Sequence, residues 1–217
     1  GVRVHFQNSG ENMDMRLVSR DDELINAATI KIKALERQIT QDYFEDNYYQ
    51  HFVTFDQQRG VKPHHVNFAK DSVEDLRALK DIMLEQVSIR SVRSATDFAL
   101  SFVQTIPYST LESRVSSPGA GFSPPLRVLW ENKGDCDSKV TLTASLLRML
   151  MPRVKIALIF IDQHALIGIE VPPLSGDESI THDDVIYALA EPTGPRLLSL
   201  GKIAESSAQA IAAGHYV

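Results

Sequence analysis

The chain has 217 residues, of which 43% are hydrophobic and 23% are charged, and its formal net charge is −6 at neutral pH. A chain of this length and composition can bury one sizeable core with a smaller helical appendage, which excludes a largely disordered protein. The negative charge argues against a nucleic-acid or anionic-lipid surface, and the longest apolar run, residues 156–161, is far shorter than the about 20 residues that cross a bilayer.

The first half of the chain is predicted to be helical. Ser19 and the acidic residues after it indicate a helix start, and apolar residues then recur at helical spacing at Leu24, Ala28, Ile32, Leu35 and Ile39. The aromatic segment 43–55 has no clean period and fits a helix or a strand, with packing against the preceding helix favoured. We assign residues 1–90 to a helical N-terminal portion, for which control of substrate access and docking of a partner are both open roles.

Two capping-box patterns predict the next helices. The first helix begins at Ser72, with Asp75 completing the box, and its apolar face consists of Val73, Leu76, Met83 and Val87. The second begins at Ser94, with Asp97 completing the box, and ends before Pro107. Its apolar face consists of Phe98, Phe102 and Ile106.

The second half of the chain changes from helix to sheet. Three short runs rich in β-branched residues are predicted as strands: 154–161, 164–170 and 185–191. A long polar connection, residues 172–184, separates the last two strands, and the tail from Gly201 carries only weak signals. Upstream of these strands, the segment 114–125 is dense in Ser, Gly and Pro and is predicted as a loop.

Cys136, the single cysteine of the chain, follows this loop and lies between two aspartates. Gly134 ends the loop and Asp135 is a good N-cap, so we expect Cys136 in the first turn of a helix. The buried face of this helix is predicted to consist of Val140, Ala144, Leu147 and Met151. Backbone N–H groups and the helix dipole stabilise a thiolate in that turn and can offset the carboxylates. The alternative is an inert buried thiol, for which a first turn flanked by aspartates is a poor place.

His164 and Glu191 are the candidates for the base that activates the cysteine and for the acceptor that orients this base. Antiparallel pairing of the last two long predicted strands can place His164 opposite Glu191 on one face. That register also pairs Leu166 with Leu189 and Gly168 with Tyr187. A carboxylate there accepts the imidazole N–H and stabilises the imidazolium formed on proton transfer. The alternatives are a water-exposed histidine at a strand end and a surface acid before a proline turn.

Four short segments around these residues form a recognisable pattern. They are 134–139 (GDCDSK), the strand that begins at His164, 191–194 (EPTG) and 102–108 (FVQTIPY). Together they resemble the signature segments of the transglutaminase-like superfamily, which includes prokaryotic transglutaminase-like cysteine peptidases. The resemblance covers under half of the chain. The chain departs from the family pattern at Glu191, where many members carry Asp, and at Ser138, where a second acid is common.

This resemblance implies a fold and a domain organisation. The implied fold is α+β, with a papain-like, transglutaminase-like core in which the cysteine helix packs on an antiparallel sheet that supplies the histidine and the acid. Residues 91–217 are expected to form the transglutaminase-like catalytic domain.

Gln104 and Tyr108 are further site candidates. An acyl-transfer site needs donors for the developing oxyanion, which the backbone N–H of Cys136 and the Gln104 carboxamide can supply. Tyr108 is a candidate for substrate binding. The alternatives are an exposed helix residue for Gln104 and a packing role for Tyr108.

No metal and no cofactor are expected, because His64, His65 and His182 have no second ligand pair at zinc spacing. A calcium site is left open by four aspartates: Asp135, Asp137, Asp183 and Asp184.

The sequence therefore predicts a cysteine peptidase or amidase that acts on a protein or peptide substrate. The Cys136 thiolate attacks a peptide or glutamine side-chain carbonyl, with His164 as base and then acid and Glu191 orienting it. Hydrolysis through a thioester acyl-enzyme is favoured by the resemblance to prokaryotic members. A protein-glutamine transglutaminase with an amine acceptor and an inactive peptide-binding module are the alternatives. The missing initiator Met and the resemblance favour an extracytoplasmic location, either periplasmic or secreted.

Overall fold

The computed structural model describes residues 1–9, 12–86, 91–110 and 121–217 and divides the chain into two compact units, residues 1–49 and 50–217. The helices are α1 Asp22–Asp46, α2 His65–Asp75, α3 Ala78–Gln86, α4 Val92–Thr105, α5 Pro125–Glu131, α6 Cys136–Leu150 and α7 Glu205–Ala212. The strands are β1 Arg3–Ser9, β2 Asn12–Val18, β3 Tyr49–Val53, β4 Arg59–Pro63, β5 Ile156–Ile161, β6 His164–Glu170, β7 Ser179–His182 and β8 Val185–Ala190. Helices combined with antiparallel sheets confirm the predicted α+β class. The division of roles between residues 1–90 and 91–217 stays a prediction.

The first unit contains the antiparallel hairpin β1–β2 and the helix α1. Among the described residues of both units, no helix is long and apolar enough to cross a membrane. Asp21 caps α1, since its Oδ1 accepts hydrogen bonds from the N–H groups of Glu23 (3.0 Å) and Leu24 (3.3 Å). The predicted apolar spacing of α1 does not mark a buried face, because no residue of α1 is buried. The N-terminal portion is also not purely helical, since it contains β1, β2, β3 and β4.

The aromatic segment 43–55 is part helix and part strand. α1 ends within it and β3 begins at Tyr49. The rings of Tyr43 and Tyr49 stack with centroids 6.1 Å apart. The predicted packing of this segment against the helix is therefore confirmed at this pair.

Two helices, α2 and α3, replace the single helix predicted from Ser72. Ser72 lies inside α2, whose N-cap is His64. After α2 the N–H of Arg77 bonds only three residues back, to the carbonyl of Glu74 (3.1 Å), and this tighter turn separates the two helices. Of the predicted face, Leu76 and Met83 are buried, Val73 is half-buried, and Val87 lies outside the described residues.

α4 is capped by Ser91, not by the predicted Ser94. The capping box joins these two serines: Ser91 Oγ accepts from the Ser94 N–H (3.1 Å) and Ser94 Oγ accepts from the Ser91 N–H (3.2 Å). Asp97 instead accepts a hydrogen bond from the backbone N–H of Leu200 (2.7 Å). The helix ends before Pro107, as predicted. Its buried apolar face consists of Ala95, Ala99, Leu100 and Val103, while Phe102, predicted to be on that face, is exposed.

The sheet of the second unit has the strand order β5-β6-β8-β7, and each neighbouring pair is antiparallel. β5, β6 and β8 lie within the three predicted strands. β7 lies in the connection 172–184, for which no strand is predicted. The predicted loop 114–125 lies mostly outside the described residues, and residues 121–124 belong to no helix or strand.

α6 is buried on two sides, which fixes the position of its N-terminus. One side contacts the sheet: Val140, Ala144 and Leu147 lie in one core cluster with Ile167 and Ile169, and Met151 packs at its edge. The other side contacts α4 and α5 through a second cluster that includes Leu142, Leu146, Val103 and Val128. The predicted packing of the cysteine helix on an antiparallel sheet is confirmed.

Leu147→Ala is expected to lower the free energy of unfolding by about 2–5 kcal/mol, because Leu147 is fully buried between α6 and β6 and its removal leaves a cavity. Leu174→Ala is the matched control, since Leu174 is exposed and its truncation should change stability by less than about 0.5 kcal/mol. Urea denaturation of both variants measures the difference. Equal effects would mean that this side of α6 is not part of the core.

Candidate active site

Cys136 is the first residue of α6, as predicted, and its side chain is almost fully buried. Asp135 is the N-cap, and its Oδ1 accepts a hydrogen bond from the Ser138 N–H (3.0 Å). The backbone of Gly134 pairs with the segment after α4: its N–H donates to the carbonyl of Pro107 (3.2 Å) and its carbonyl accepts from Ser109 (3.1 Å). The residue two positions before the cysteine is therefore bound to the segment that follows α4.

His164 begins β6 and faces Cys136. Its Nδ1 lies 2.9 Å from the Cys136 sulfur, which is a hydrogen-bonding distance. In the sheet His164 pairs with Ile161, the last residue of β5, so the imidazole lies at the end of that hairpin. The structure thus brings the predicted nucleophile and the predicted base together.

Glu191 follows β8, and its carboxylate contacts the other nitrogen of the same imidazole. Glu191 Oε1 lies 2.6 Å from His164 Nε2. Its second oxygen, Oε2, accepts a hydrogen bond from the backbone N–H of Ala204 (2.7 Å). The carboxylate is therefore fixed at both oxygens, and one hydrogen-bonded chain runs from Cys136 through His164 to Glu191.

The predicted strand register is wrong by two residues. β6 and β8 pair antiparallel, but Ile167 lies opposite Ala190 and Gly168 opposite Leu189. A slip of two residues leaves every side chain on its original face, because side chains alternate along a strand. His164 and Glu191 are therefore diagonal rather than direct neighbours, and their long side chains close the gap.

The charges of Cys136, His164 and Glu191 favour a thiolate paired with an imidazolium. Burial acts against both ions, but the hydrogen bonds and negative charges of Cys136 and Glu191 raise the pKa of His164 to about 10. Burial raises the pKa of the Cys136 thiol. The opposite effect is larger: the hydrogen bond and charge of His164, with the nearby hydroxyls of Thr193 and Tyr108, bring this pKa below its ordinary value. Cys136 is therefore ionised and His164 protonated in the same pH range.

The two aspartates beside the cysteine do not cancel this effect. Asp135 is committed to capping α6. Burial and the charge of Asp135 raise the pKa of Asp137 to about 6, so its negative charge is weakened in mildly acidic solution. The carboxylate of Asp135 is thus engaged at the helix N-terminus, and that of Asp137 is partly neutralised only in mildly acidic solution.

A cavity of about 780 Å³ reaches Cys136 and His164. Its aromatic walls are Phe52, Phe55, Tyr108 and Phe160, and its carboxylates are Asp56, Asp135, Asp137 and Asp162. A second cavity of about 410 Å³ lies beyond His164, lined by Glu191, Ser206, Ser207 and Ala210. His164 borders both cavities, whereas Cys136 lines only the larger one.

Gln104 and Tyr108 have different positions relative to the cysteine. Gln104 is buried, and its Nε2 donates to the carbonyls of Glu191 and Leu198, both at 2.9 Å. Both N–H bonds of the carboxamide are thus engaged, so the contacts do not support the predicted oxyanion role for Gln104. Tyr108 is half exposed, lines the larger cavity and hydrogen-bonds toward Cys136.

Lys139 and Thr193 belong to the site but are not singled out by the sequence patterns. Lys139 is 0% exposed, and its Nζ donates to the carbonyls of Ile106 and Thr193, the latter at 2.6 Å. The Thr193 hydroxyl is buried without a well-formed hydrogen bond among the described residues, and it lies near the Cys136 sulfur. Lys139 and Thr193 nevertheless lie inside the motif segments 134–139 and 191–194, which is the signal that could have identified them.

Comparisons with family models, with curated proteins and with solved structures gave no match for this chain. Among the described residues, no group of three or more His, Cys, Asp or Glu side chains is arranged to hold a metal ion. The resemblance to the transglutaminase-like superfamily therefore rests on the motifs alone.

Proposed function

We propose that this protein is a transglutaminase-like cysteine peptidase or amidase with a papain-like core, and that it hydrolyses a peptide or amide bond through a thioester. The observation that carries the proposal is the chain of two hydrogen-bond contacts, Cys136 to His164 at 2.9 Å and His164 to Glu191 at 2.6 Å. A nucleophile, a base and an orienting acceptor in series are what cysteine acyl transfer requires.

The first half of the reaction acylates the cysteine. The Cys136 thiolate attacks the substrate carbonyl carbon, and the carbonyl electrons move onto oxygen. In this proposal the Cys136 backbone N–H, at the start of α6, and the hydroxyl of Tyr108, which lines the same cavity, donate the hydrogen bonds that stabilise this oxyanion. The tetrahedral intermediate collapses as the imidazolium of His164 gives its proton to the leaving amine, which leaves a thioester and a neutral imidazole.

The second half regenerates the enzyme. Neutral His164 takes a proton from water, the hydroxide attacks the thioester carbonyl, and the second tetrahedral intermediate expels the thiolate and a carboxylic acid. Glu191 orients the imidazole throughout and stabilises the imidazolium at both stages. The larger cavity reaches both Cys136 and His164, so water within it can approach the thioester beside the base.

The test is product analysis with a mixture of peptides blocked at both ends, in isotopically labelled water and with a fluorescent primary amine present. Wild type should release peptides whose new carboxyl group carries the label, and Cys136→Ala should release none. Incorporation of the amine without formation of free acid would contradict hydrolysis and favour a protein-glutamine transglutaminase. The absence of any product, with slow alkylation of Cys136, would favour the inactive peptide-binding module.

A further inference from the structure

Lys139 is a buried cation that the proposed chemistry does not use. Its side chain is the largest among those that are essentially fully buried. Among the described residues its ammonium contacts only two carbonyl oxygens, those of Ile106 and Thr193, and forms no ion pair with a carboxylate. An ammonium buried without a counter-charge costs several kcal/mol, so a burial of this kind calls for a compensating anion.

The two carbonyls belong to the two chain segments that enclose the cysteine. Ile106 precedes Tyr108, whose segment is paired with Gly134 immediately before α6. Thr193 follows Glu191 by two residues, and its buried hydroxyl lies near the Cys136 sulfur. One ammonium group therefore connects α6, the Tyr108 segment and the Glu191 segment.

Lys139 also lies one helical turn after Cys136, on the buried side of α6. Residues three apart on a helix are neighbours, so the two side chains start from adjacent positions on α6, and the ammonium donates to the carbonyl of Thr193, whose hydroxyl lies near the sulfur. The charge of the Cys136 thiolate acts to raise the pKa of Lys139, against the lowering caused by burial. Such an interaction is reciprocal: a thiolate that favours the ammonium is favoured by it to the same extent.

We propose that Lys139 is a positioning residue for Cys136, whose buried ammonium holds the Tyr108 and Glu191 segments against α6 and supplies the positive charge that balances the thiolate. The proposal rests on the proposed function, because it assigns Lys139 a role at the same cysteine. This cation is additional to the His164 imidazolium and to Lys62, which lines the larger cavity together with Cys136.

The test is the rate of Cys136 alkylation by iodoacetamide as a function of pH in wild type, Lys139→Met and Lys139→Arg. Methionine has a similar length and no charge, so the midpoint should rise by about one pH unit. Arginine keeps the charge and should restore a midpoint close to that of wild type. Lys133→Met is the matched control: Lys133 lies three residues before the cysteine but is exposed, and its loss should leave the midpoint unchanged.

A wild-type measurement makes the test independent of whether Lys139→Met folds. The pKa of Lys139 is followed by NMR of the labelled ε-carbon before and after Cys136 is blocked with iodoacetamide. Blocking removes the thiolate, so the pKa of Lys139 should fall by about one unit. An unchanged pKa of Lys139, or an unchanged alkylation midpoint in folded Lys139→Met, overturns the proposal. An ordinary midpoint of about 8.5 in wild type contradicts the proposed function itself, so the two failures are distinguishable.

Discussion

In His164→Ala, alkylation of Cys136 by iodoacetamide at pH 6 should be slower than in wild type by on the order of 10- to 100-fold. The imidazolium is the main group that holds the thiol pKa below its ordinary value, and without it burial raises that pKa. The alkylation midpoint should therefore move to about 8.5 or above. Because alanine also removes the base, peptide hydrolysis should fall by at least about 100-fold.

Glu191→Gln tests how much the negative charge of Glu191 stabilises the ion pair between the Cys136 thiolate and the His164 imidazolium. The amide still accepts a hydrogen bond from His164 Nε2 but carries no charge, so the pKa of His164 should fall and the alkylation midpoint should lie between those of wild type and His164→Ala. Glu170→Gln is the control and should behave as wild type, because it removes a half-buried carboxylate that is paired with Lys155 at the other end of β6. Equal midpoints in wild type, His164→Ala and Glu191→Gln would show that the three residues are not electrostatically linked and would falsify the proposed catalytic chain.

The start of the cysteine helix could be predicted because its signals are local. A glycine, a capping aspartate and a regular apolar spacing within α6 determine both where the helix starts and which side is buried. The proximity of His164 and Glu191 was also predictable, but for a weaker reason. Any even register of β6 against β8 keeps both side chains on one face, so a prediction that is wrong by two residues still brings them together.

The contacts of Gln104 and Lys139 could not be predicted in the same way. Both side chains bond backbone carbonyls that are distant in sequence: Gln104 those of Glu191 and Leu198, and Lys139 those of Ile106 and Thr193. A carbonyl is present at every residue, so the sequence carries no mark of which one a side chain will reach. Burial is the only hint, because a buried polar side chain must find partners.

The sequence of the first hairpin, β1–β2, contains a strand signal that the prediction of a helical N-terminal portion leaves out. Val4 and Phe6 alternate with polar residues, which is the period of a strand, and Phe6 lies opposite Met15 in the hairpin β1–β2. The assignment of residues 1–90 to a helical portion does not account for this hairpin. A two-stranded hairpin leaves only a short alternation in the sequence, and short runs are where helix and strand are hardest to separate.

Gly194→Ala should lower the free energy of unfolding by about 3 kcal/mol or more. Gly194 has φ +62°, a left-handed conformation that costs a non-glycine residue about 1–3 kcal/mol. A Cβ at this position would also overlap the backbone carbonyl oxygen of Gln104, which cannot rotate away as a side chain can. The close approach of this turn to the end of α4 is what lets Gln104 hold the Glu191 segment, so the variant should also lose hydrolytic activity.

Gly214→Ala separates the cost of the left-handed conformation from the cost of the overlap with Gln104. Gly214 has a similar φ of +71°, but a Cβ there would meet no atom within 4 Å, so only the conformational cost applies. Urea denaturation of both variants should show the larger loss in Gly194→Ala, and Cys136 alkylation should show a raised midpoint in that variant alone, because a displaced Glu191 no longer supports the imidazolium. If the two alanine variants lose the same stability, the turn at Gly194 does not pack against the Gln104 carbonyl. If Gly194→Ala is destabilised but keeps the wild-type alkylation midpoint, the contact between the Gly194 turn and Gln104 stabilises the fold without positioning Glu191.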